Sequence, residues 1–453
     1  MRIAAGPTST QGHSHSPSTR PHVPNVTRRR MARAHASVTD EQEGTTRHTR
    51  SVWHSDPVPR FEAFPALRYA GSADLDEVTA PPYDVQTPEQ TRALAERSPH
   101  NVVAVDVPAV VHEGADDVYA VAADTLSRWV AEGVLVADRQ PSLTILRMRF
   151  TDQSGEERDL ASVVGLLEVV DEGAGGVLAH ERTTPKASTD RLDLTRATRA
   201  NLSPVWGLSM ATGLTEMLQE PGELVGRVDV DGVTHLAERV TDPQRIASIT
   251  ELVGSDEVLI ADGHHRYAVA RAFRDEKGAA GGSGLTLASV GELVPEQLSV
   301  RAIHRLYGGA DHGSVREALA EYFDLTDAPI PSLAMLSDLV DKGVLALIGP
   351  DGSAEWLTPK EGAFDGVRSL DGAWLEHALA GLASESELAT TYEHDMGELV
   401  EAIVSGRAHS GVLIRPVSIE EIERTARERL LMPPKSTFFT PKPITGLVLR
   451  SIE

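Results

Sequence analysis

Cysteine is absent from all 453 residues, which removes disulfides, thiolate metal sites and cysteine nucleophiles together. Aromatic residues make up only 4% while hydrophobic residues reach an ordinary 41%, so the interior must be filled mainly by aliphatic side chains. No apolar run approaches the ~18 residues of a membrane-spanning helix. Residues 1–50 also lack the apolar stretch of a signal peptide, and together these absences predict a cytoplasmic chain without a membrane partner. No Gly-x-x-x-x-Gly-Lys-Ser/Thr string occurs, which excludes a Walker-type phosphate loop. Positive charge is in deficit as well. The net of −24 argues against a surface that tracks nucleic acid, and no DNA partner is expected.

That deficit is uneven. Residues 1–55 hold eight arginines against three acids, a net of +5, which leaves −29 for the rest. The segment is rich in Ser, Thr, Pro, His and Arg without apolar periodicity, the composition of a disordered basic extension. Beyond it the length suffices for two units: 56–310 as an α/β (α+β) core, and 311–453 as an additional C-terminal α/β unit whose tail docks back on that core. An acidic body with arginines gathered at particular strings suits a small anionic or nucleotide ligand held locally. Composition leaves the oligomeric state open, and a homodimer is admissible.

Turn chemistry and periodicity divide the folded part. Ala80-Pro81-Pro82-Tyr83-Asp84-Val85 is a rigid turn, because each proline fixes its own φ and restricts the residue before it. Thr87 followed by Pro88 reads as an N-cap with proline at the first helical position, opening a helix to about Glu96. Asn101–Val107 predicts a strand and Ala115–Glu132 a helix containing Trp129. Leu143–Phe150 alternates apolar with polar and pairs with Arg158–Val170 as a hairpin across Asp152–Gly155. Val228–Val233 forms a second hairpin around Asp231-Gly232, ahead of a helix at Arg245–Leu252. Leu285–Val290 and Leu298–Arg305 predict strands, the latter ending in His304-Arg305. In the second unit Leu345–Ile348 and Gly411–Ile414 predict strands, and His394-Asp395 is expected at the surface.

Two stretches concentrate chemistry. In the first, Val258–Ala261 is a short apolar run of buried-strand type, Asp262-Gly263 breaks it, and Tyr267, Ala270 and Phe273 then recur at helical spacing until Lys277-Gly278. Asp262, His264, His265 and Arg266 therefore fall where a strand becomes a helix N-terminus, whose free N–H groups suit phosphate or carboxylate. As a bare pattern, Asp262 capping a helix would explain the turn equally well. The second stretch runs His180-Glu181-Arg182-Thr183-Thr184-Pro185-Lys186, then Asp190-Arg191 through Arg196, Arg199, Asn201 and Pro204. With Asp190 as the cap of a helix ending near Asn201, Arg196 and Arg199 lie ~60° apart and Arg191 and Arg199 ~80° apart. All three can then face one ligand, and guanidinium forks suit phosphate or carboxylate; alone, they read as a solvated basic face. Near the C-terminus, the prolines of Met432–Pro443 hold Lys435 and Lys442 on fixed, non-helical backbone.

Five strings carry a family resemblance: Pro81-Pro82-Tyr83-Asp84, the stretch His180–Pro204, Ala261-Asp262-Gly263-His264-His265-Arg266 followed by Tyr267, His304-Arg305, and Met432–Pro443. On these the chain resembles DUF1015, an uncharacterised bacterial family usually grouped with the ParB/sulfiredoxin-like fold, over about Phe61–Leu449. Members of that wider group set a Gly-x-x-Arg turn against nucleotide phosphates, and they include free-serine kinases. The resemblance therefore implies a ParB/sulfiredoxin-like nucleotide-binding core. It also implies phosphoryl transfer from ATP or ADP, with Mg2+, to a small hydroxylated metabolite, free serine by analogy. Asp262 or Glu181 would be the base or the Mg2+ ligand, with His264 and His265 beside them and Gly263 to Arg266 on the phosphates. His180, Lys186, Arg191, Arg199, Asn201, His304, Arg305, Lys435 and Lys442 would complete the anion site, with Tyr83 and Asp84 as weaker candidates. Two other readings stand beside this one. One is a non-enzymatic nucleotide-binding switch. The other is a metal-dependent hydrolase using His264, His265 and His180, although adjacent histidines point apart on a helix.

A chain beginning near Ser55 is expected to keep the melting temperature and ligand binding of the full chain, since the extension lacks apolar surface to offset the entropy of ordering. A melt several degrees lower for the shortened chain would show that the extension contributes.

Overall fold

The aliphatic interior expected from the composition is organised by two sheets. The computed structural model describes residues 58–152, 155–180, 188–278, 282–385, 388–433 and 435–452; the basic extension expected over residues 1–55 lies outside them. Among the described residues the larger sheet has nine strands. Eight run in the order Val177–Ala179, Val258–Asp262, Val205–Ser209, Leu285–Glu292, Glu157–Glu168, Leu143–Thr151, Val233–Val240, Glu223–Val230, and Phe61–Glu62 pairs with Glu157–Glu168. Val258–Asp262 is parallel to Val177–Ala179, and Val205–Ser209 is parallel to Leu285–Glu292. The other pairs are antiparallel, so the sheet is mixed.

Strand Val258–Asp262 shows why this sheet needs cover on both faces. Its alternate side chains enter two different cores, as the two-residue period of a strand requires. Val258 and Ile260 pack with Val163, Val205, Ile249 and Tyr267. Leu259 and Ala261 pack with Trp206, Leu208, Ile422 and Phe439. The first core is closed by helices Pro243–Val253 and His264–Lys277, the second by helix Ile419–Arg427 and the segment after it. A third core surrounds Trp129 of helix Val118–Ala131, with Leu94 of helix Pro88–Arg97 and Leu194 of helix Ser188–Thr198.

The smaller sheet is antiparallel throughout, in the order Phe323–Ala328, Ala354–Pro359, Leu345–Ile348, Ser410–Leu413, His304–Gly308, Ala389–Glu393. After it the chain returns to the first sheet's neighbourhood. Phe438–Phe439 pairs with Val300–Arg301, Arg450–Ser451 pairs with Ala200–Asn201, and Thr445 and Leu449 bridge to Ala80 and Leu67.

Local signals were read correctly where a turn residue or a cap fixed them. Thr87 accepts from the amide of Gln90 while the Gln90 side chain accepts from Thr87, a closed capping box. Asp231 and Gly232 both take positive φ, 49° and 76°, as a two-residue hairpin demands. Two expectations fail. Asn101–Val107 is not a strand but leads into the short helices Val103–Asp106 and Pro108–Val111. Asn101 explains this: its Nδ2 donates to the carbonyls of Glu77 (2.7 Å) and Thr79 (3.2 Å), and its Oδ1 accepts from the Val103 amide at 3.1 Å. A side chain thus supplies the backbone partners that a ladder would have supplied. Leu298–Arg305 is not one strand either, because the chain crosses between sheets within it, so His304-Arg305 opens a strand instead of ending one. Among the described residues no helix is long and apolar enough to cross a membrane.

The returning tail makes a direct stability test. Leu449 is 1% exposed within the core around Trp129, so Leu449→Ala should cost about 2–4 kcal/mol, read as a lower denaturant midpoint. An unchanged midpoint would mean that the tail contributes nothing to the core it touches.

Candidate functional site

Gly263 sets the geometry of the site. At the end of strand Val258–Asp262 it takes φ 88°, open to glycine at little cost, and a Cβ there would stand 2.9 Å from Arg266 Nε. Helix His264–Lys277 starts immediately after it, and its first backbone bond runs from the Tyr267 amide to the Gly263 carbonyl at 2.9 Å. The amides of the three residues before Tyr267 therefore point out of the helix end. The helix is anchored by Tyr267, whose hydroxyl donates to the Glu168 carbonyl (2.9 Å) and accepts from the Val170 amide (2.8 Å). Phe273 is buried beneath it.

With its helix pinned this way, Arg266 folds back over the turn. Its guanidinium donates to Asp262 and to the carbonyl of Pro204. Burial alone would lower its proton affinity, but Asp262, Asp84, Tyr83 and Asp106 reverse that and raise it. Asp262 also faces Lys442, whose Nζ lies 2.8 Å from Asp262 Oδ1 and 2.9 Å from Asp84 Oδ2. Burial works against the Asp262 carboxylate, yet Arg266 and Lys442 hold it below the ordinary range. Lys442, desolvated in turn, is raised by the same two acids.

Arg266 also lines a crevice of about 50 Å3, together with Tyr83, Asp106, Arg191, Asn201 and Ser203 and with threonine and aliphatic neighbours. Arg191 comes from helix Ser188–Thr198, which lies against both helix Val118–Ala131 and helix His264–Lys277. It donates to the Asp106 carbonyl at 2.7 Å, to Asp106 Oδ1 at 3.2 Å and to Asp190 at 2.8 Å, and its guanidinium stands 4.3 Å over the Tyr83 ring. Asp106 is pushed up by burial, with Arg191 and Arg266 pulling the other way.

A histidine pair completes the turn. His180 is fully buried; its Nδ1 donates to the Ile260 carbonyl and its Nε2 accepts from Thr437 of the tail, both at 2.8 Å. The ring lies 5.1 Å from that of His264. Burial lowers His180 to about 4, and burial with His180 beside it lowers His264 to about 3, so both are neutral imidazoles at pH 7. His264 Nε2 is buried without a hydrogen-bond partner among the described residues. His265 is less enclosed and is lowered by burial and by the charge of exposed Lys435.

The structure thus brings Asp262, Gly263, His264, His265, Arg266, His180, Arg191, Lys442, Tyr83 and Asp84 to one region. Asn201 joins as scaffold: its Oδ1 is taken by the Leu287 amide and by Arg450 of the tail. Glu181 and Lys186 lie outside the described residues. The three-arginine face is corrected. The helix ends at Thr198, so the helical angles stop short of Arg199, which is exposed at φ 50°. Arg196 is exposed too and pairs with Glu276 and Asp193. Asp190 is no cap but sits in the first helical turn, accepting from Tyr119 and Arg191. His304 and Arg305 are buried in the smaller sheet, where His304 accepts from the Ile414 amide and Arg305 lies 4.8 Å over the Tyr392 ring. Asp106 was missed because it stood in an apolar run read as a strand. Thr437 was missed because a lone threonine in a proline-rich tail carries no signal.

The donor set does not fit a metal held by the protein. Both oxygens of Asp262 and both nitrogens of His180 are engaged, and among the described residues no three His, Asp or Glu converge as ligands.

These features define a mixed α/β chain with a charged strand-to-helix turn. The chain belongs to the family described as protein of unknown function (DUF1015), whose model matches residues 61–373. No curated protein matches it. Among solved structures it is similar to a free serine kinase in complex with AMP, at 13% identity and TM-score 0.36, over 61% of this chain and 88% of the other. It is also similar to a conserved hypothetical protein from Pyrococcus furiosus, at 15% identity and TM-score 0.35, covering 61% and 92%. A third likeness is to C-terminally truncated SbnI from Staphylococcus aureus, at 13% and 0.34, covering 63% and 86%. Superpositions this loose assign neither ligand nor residue.

Neutral buried histidines fix the sign of the acid response. The unfolded chain, with imidazoles near 6.5, takes up protons before the folded one does, so stability falls as pH drops from about 6.5 toward about 4. His235 and His304, both lowered to about 4 mainly by burial, act in the same direction. Denaturant unfolding at pH 7 and pH 5 should show the loss, and His180→Phe should remove about 1.4 kcal/mol per pH unit of the slope. An unaltered slope in that variant would place a charged His180 in the folded state.

Proposed function

We propose that this chain is a cytoplasmic phosphoryl-transfer enzyme with a ParB/sulfiredoxin-like core, moving a phosphoryl group from ATP or ADP to a small hydroxylated metabolite, free serine first among them. The observation that carries the reading is the convergence of Arg266, Lys442 and the free amides of helix His264–Lys277 at one glycine turn. Phosphoryl transfer asks a protein mainly to position reactants and to offset charge, and backbone donors beside two cations do both. In the step itself the metabolite's hydroxyl oxygen bonds the terminal phosphorus as the bond to the leaving phosphate oxygen breaks. Asp262, kept ionised by its two cations, is the carboxylate at hand for the hydroxyl proton, with Glu181 the alternative. Lys442 and the turn amides would hold the nucleotide phosphates, and His180 would keep the tail in place through Thr437.

The test incubates the protein with ATP or ADP, Mg2+ and an amino-acid pool, and reads phosphorylated amino acid by mass spectrometry. Lys442→Met should weaken nucleotide binding about tenfold or more, the worth of one charge-assisted contact, while Asp262→Asn should cost turnover first. Nucleotide binding without turnover would support the switch reading instead. Absence of nucleotide binding would overturn both.

A further inference from the structure

Resting on that reading, we infer that the crevice beside Arg266 is the pocket of the acceptor, not of the nucleotide, and that it selects a small zwitterionic amino acid. Size makes the first division. About 50 Å3 falls well short of the roughly 300–1,000 Å3 of pockets that enclose whole cofactors or drug-sized ligands. The nucleotide is left to the turn amides and to Lys442, which does not line the crevice.

Charge makes the second division. A crevice for phosphate alone would gather donors and keep carboxylates away, since like charge disfavours a bound anion. Here two guanidiniums and one buried carboxylate share the wall. Among the described residues Arg191 Nη2, Arg266 Nε, Asp106 Oδ2 and the Tyr83 hydroxyl make no hydrogen bond, because each residue's other contacts use different atoms or the ring face. Ser203 adds a further hydroxyl to the lining. Spare guanidinium N–H groups suit a carboxylate, and a spare carboxylate oxygen suits an ammonium. Both ends of an amino acid are thereby met, one by the paired arginines and the other by Asp106. The remaining wall mixes aliphatic residues such as Leu194 and Val269 with Thr195 and Thr286, and the small volume leaves room only for a short side chain. Arg266, reaching both the crevice and Asp262, would set that side chain's hydroxyl beside the carboxylate that takes its proton.

Calorimetric titration of the parent protein with serine, alanine, ethanolamine, lactate and inorganic phosphate tests this without any variant. Serine and alanine are expected to bind, and ethanolamine (no carboxylate) and lactate (no ammonium) to bind at least tenfold more weakly. Asp106→Asn should lower serine affinity at least tenfold and leave lactate unaffected. Because Asp106 also holds Arg191, Tyr83→Phe, which removes one hydroxyl only, gives a second variant with a several-fold loss for serine. Lactate or ethanolamine binding as tightly as serine, or phosphate displacing serine from the crevice, would overturn the inference. So would nucleotide binding with no amino acid bound at all, which leaves the transfer reading standing. Amino-acid binding without any nucleotide binding would do the reverse, sustaining the crevice assignment while removing the kinase.

Discussion

Everything at the centre of this molecule depends on keeping Arg266 charged away from water. Taking an ion out of solvent costs several kcal/mol even after relaxation, and that cost is offset only if the guanidinium is closely surrounded by acceptors. Asp262 four residues before it, the Pro204 carbonyl from the strand's neighbouring connection, and the nearby acids Asp84 and Asp106 supply that surround. The requirement reaches into the backbone. A side chain at position 263 would collide with the guanidinium it is meant to shelter, so the turn must be glycine for space as well as for φ. It also reaches into helix Ser188–Thr198, which brings Arg191 against one of the same acids, Asp106.

The tail is the second consequence of this electrostatics. Asp262 and Asp84 come from distant parts of the chain and share a single ammonium, Lys442. Without it exposed Asp84 would lie near Asp262 with no counter-charge of its own, while Asp262 would keep Arg266 alone. The tail's path is fixed on either side of Lys442 by the bond from Thr437 to His180 and by pairing of Arg450–Ser451 with Ala200–Asn201. The C-terminal residues therefore belong structurally to the first sheet's charged turn, even though the smaller sheet separates them from it in sequence.

What the sequence disclosed follows from how local each signal is. The strand–glycine–helix turn at 258–277 was legible because period, breaker and helix closure all lie within one short window. The hairpins and the Thr87 box were legible for the same reason. Arg191 was named as an anion-site candidate by its neighbours in sequence and lines the crevice, whereas Arg199 was carried along by extending the helix to near Asn201, past its real end at Thr198. Asn101–Val107 shows the opposite failure. Its β-branched run signals a strand, yet a single asparagine side chain redirects the backbone, and Asp106 enters the site with it. The partner that decides the outcome, Glu77 and Thr79 carbonyls in another segment, is invisible to any window around residue 101.

The charge balance of the site constrains how any ligand can be held. Arg191, Arg266 and Lys442 face four carboxylates, Asp84, Asp106, Asp190 and Asp262, and the chain beyond residue 55 is strongly acidic. Long-range attraction for an anion is therefore small, and binding must come from short contacts that substitute for the existing ones. A zwitterion can do this without disturbing the balance, exchanging one internal pair for two external ones. A polyphosphate adds charge beyond what these already paired cations cover, so in the proposed reading the turn amides and a counter-cation carried with the nucleotide must supply the rest. On the proposed reading, a neutral partner suits the crevice and a charge-compensated one suits the turn, with Arg266 common to both.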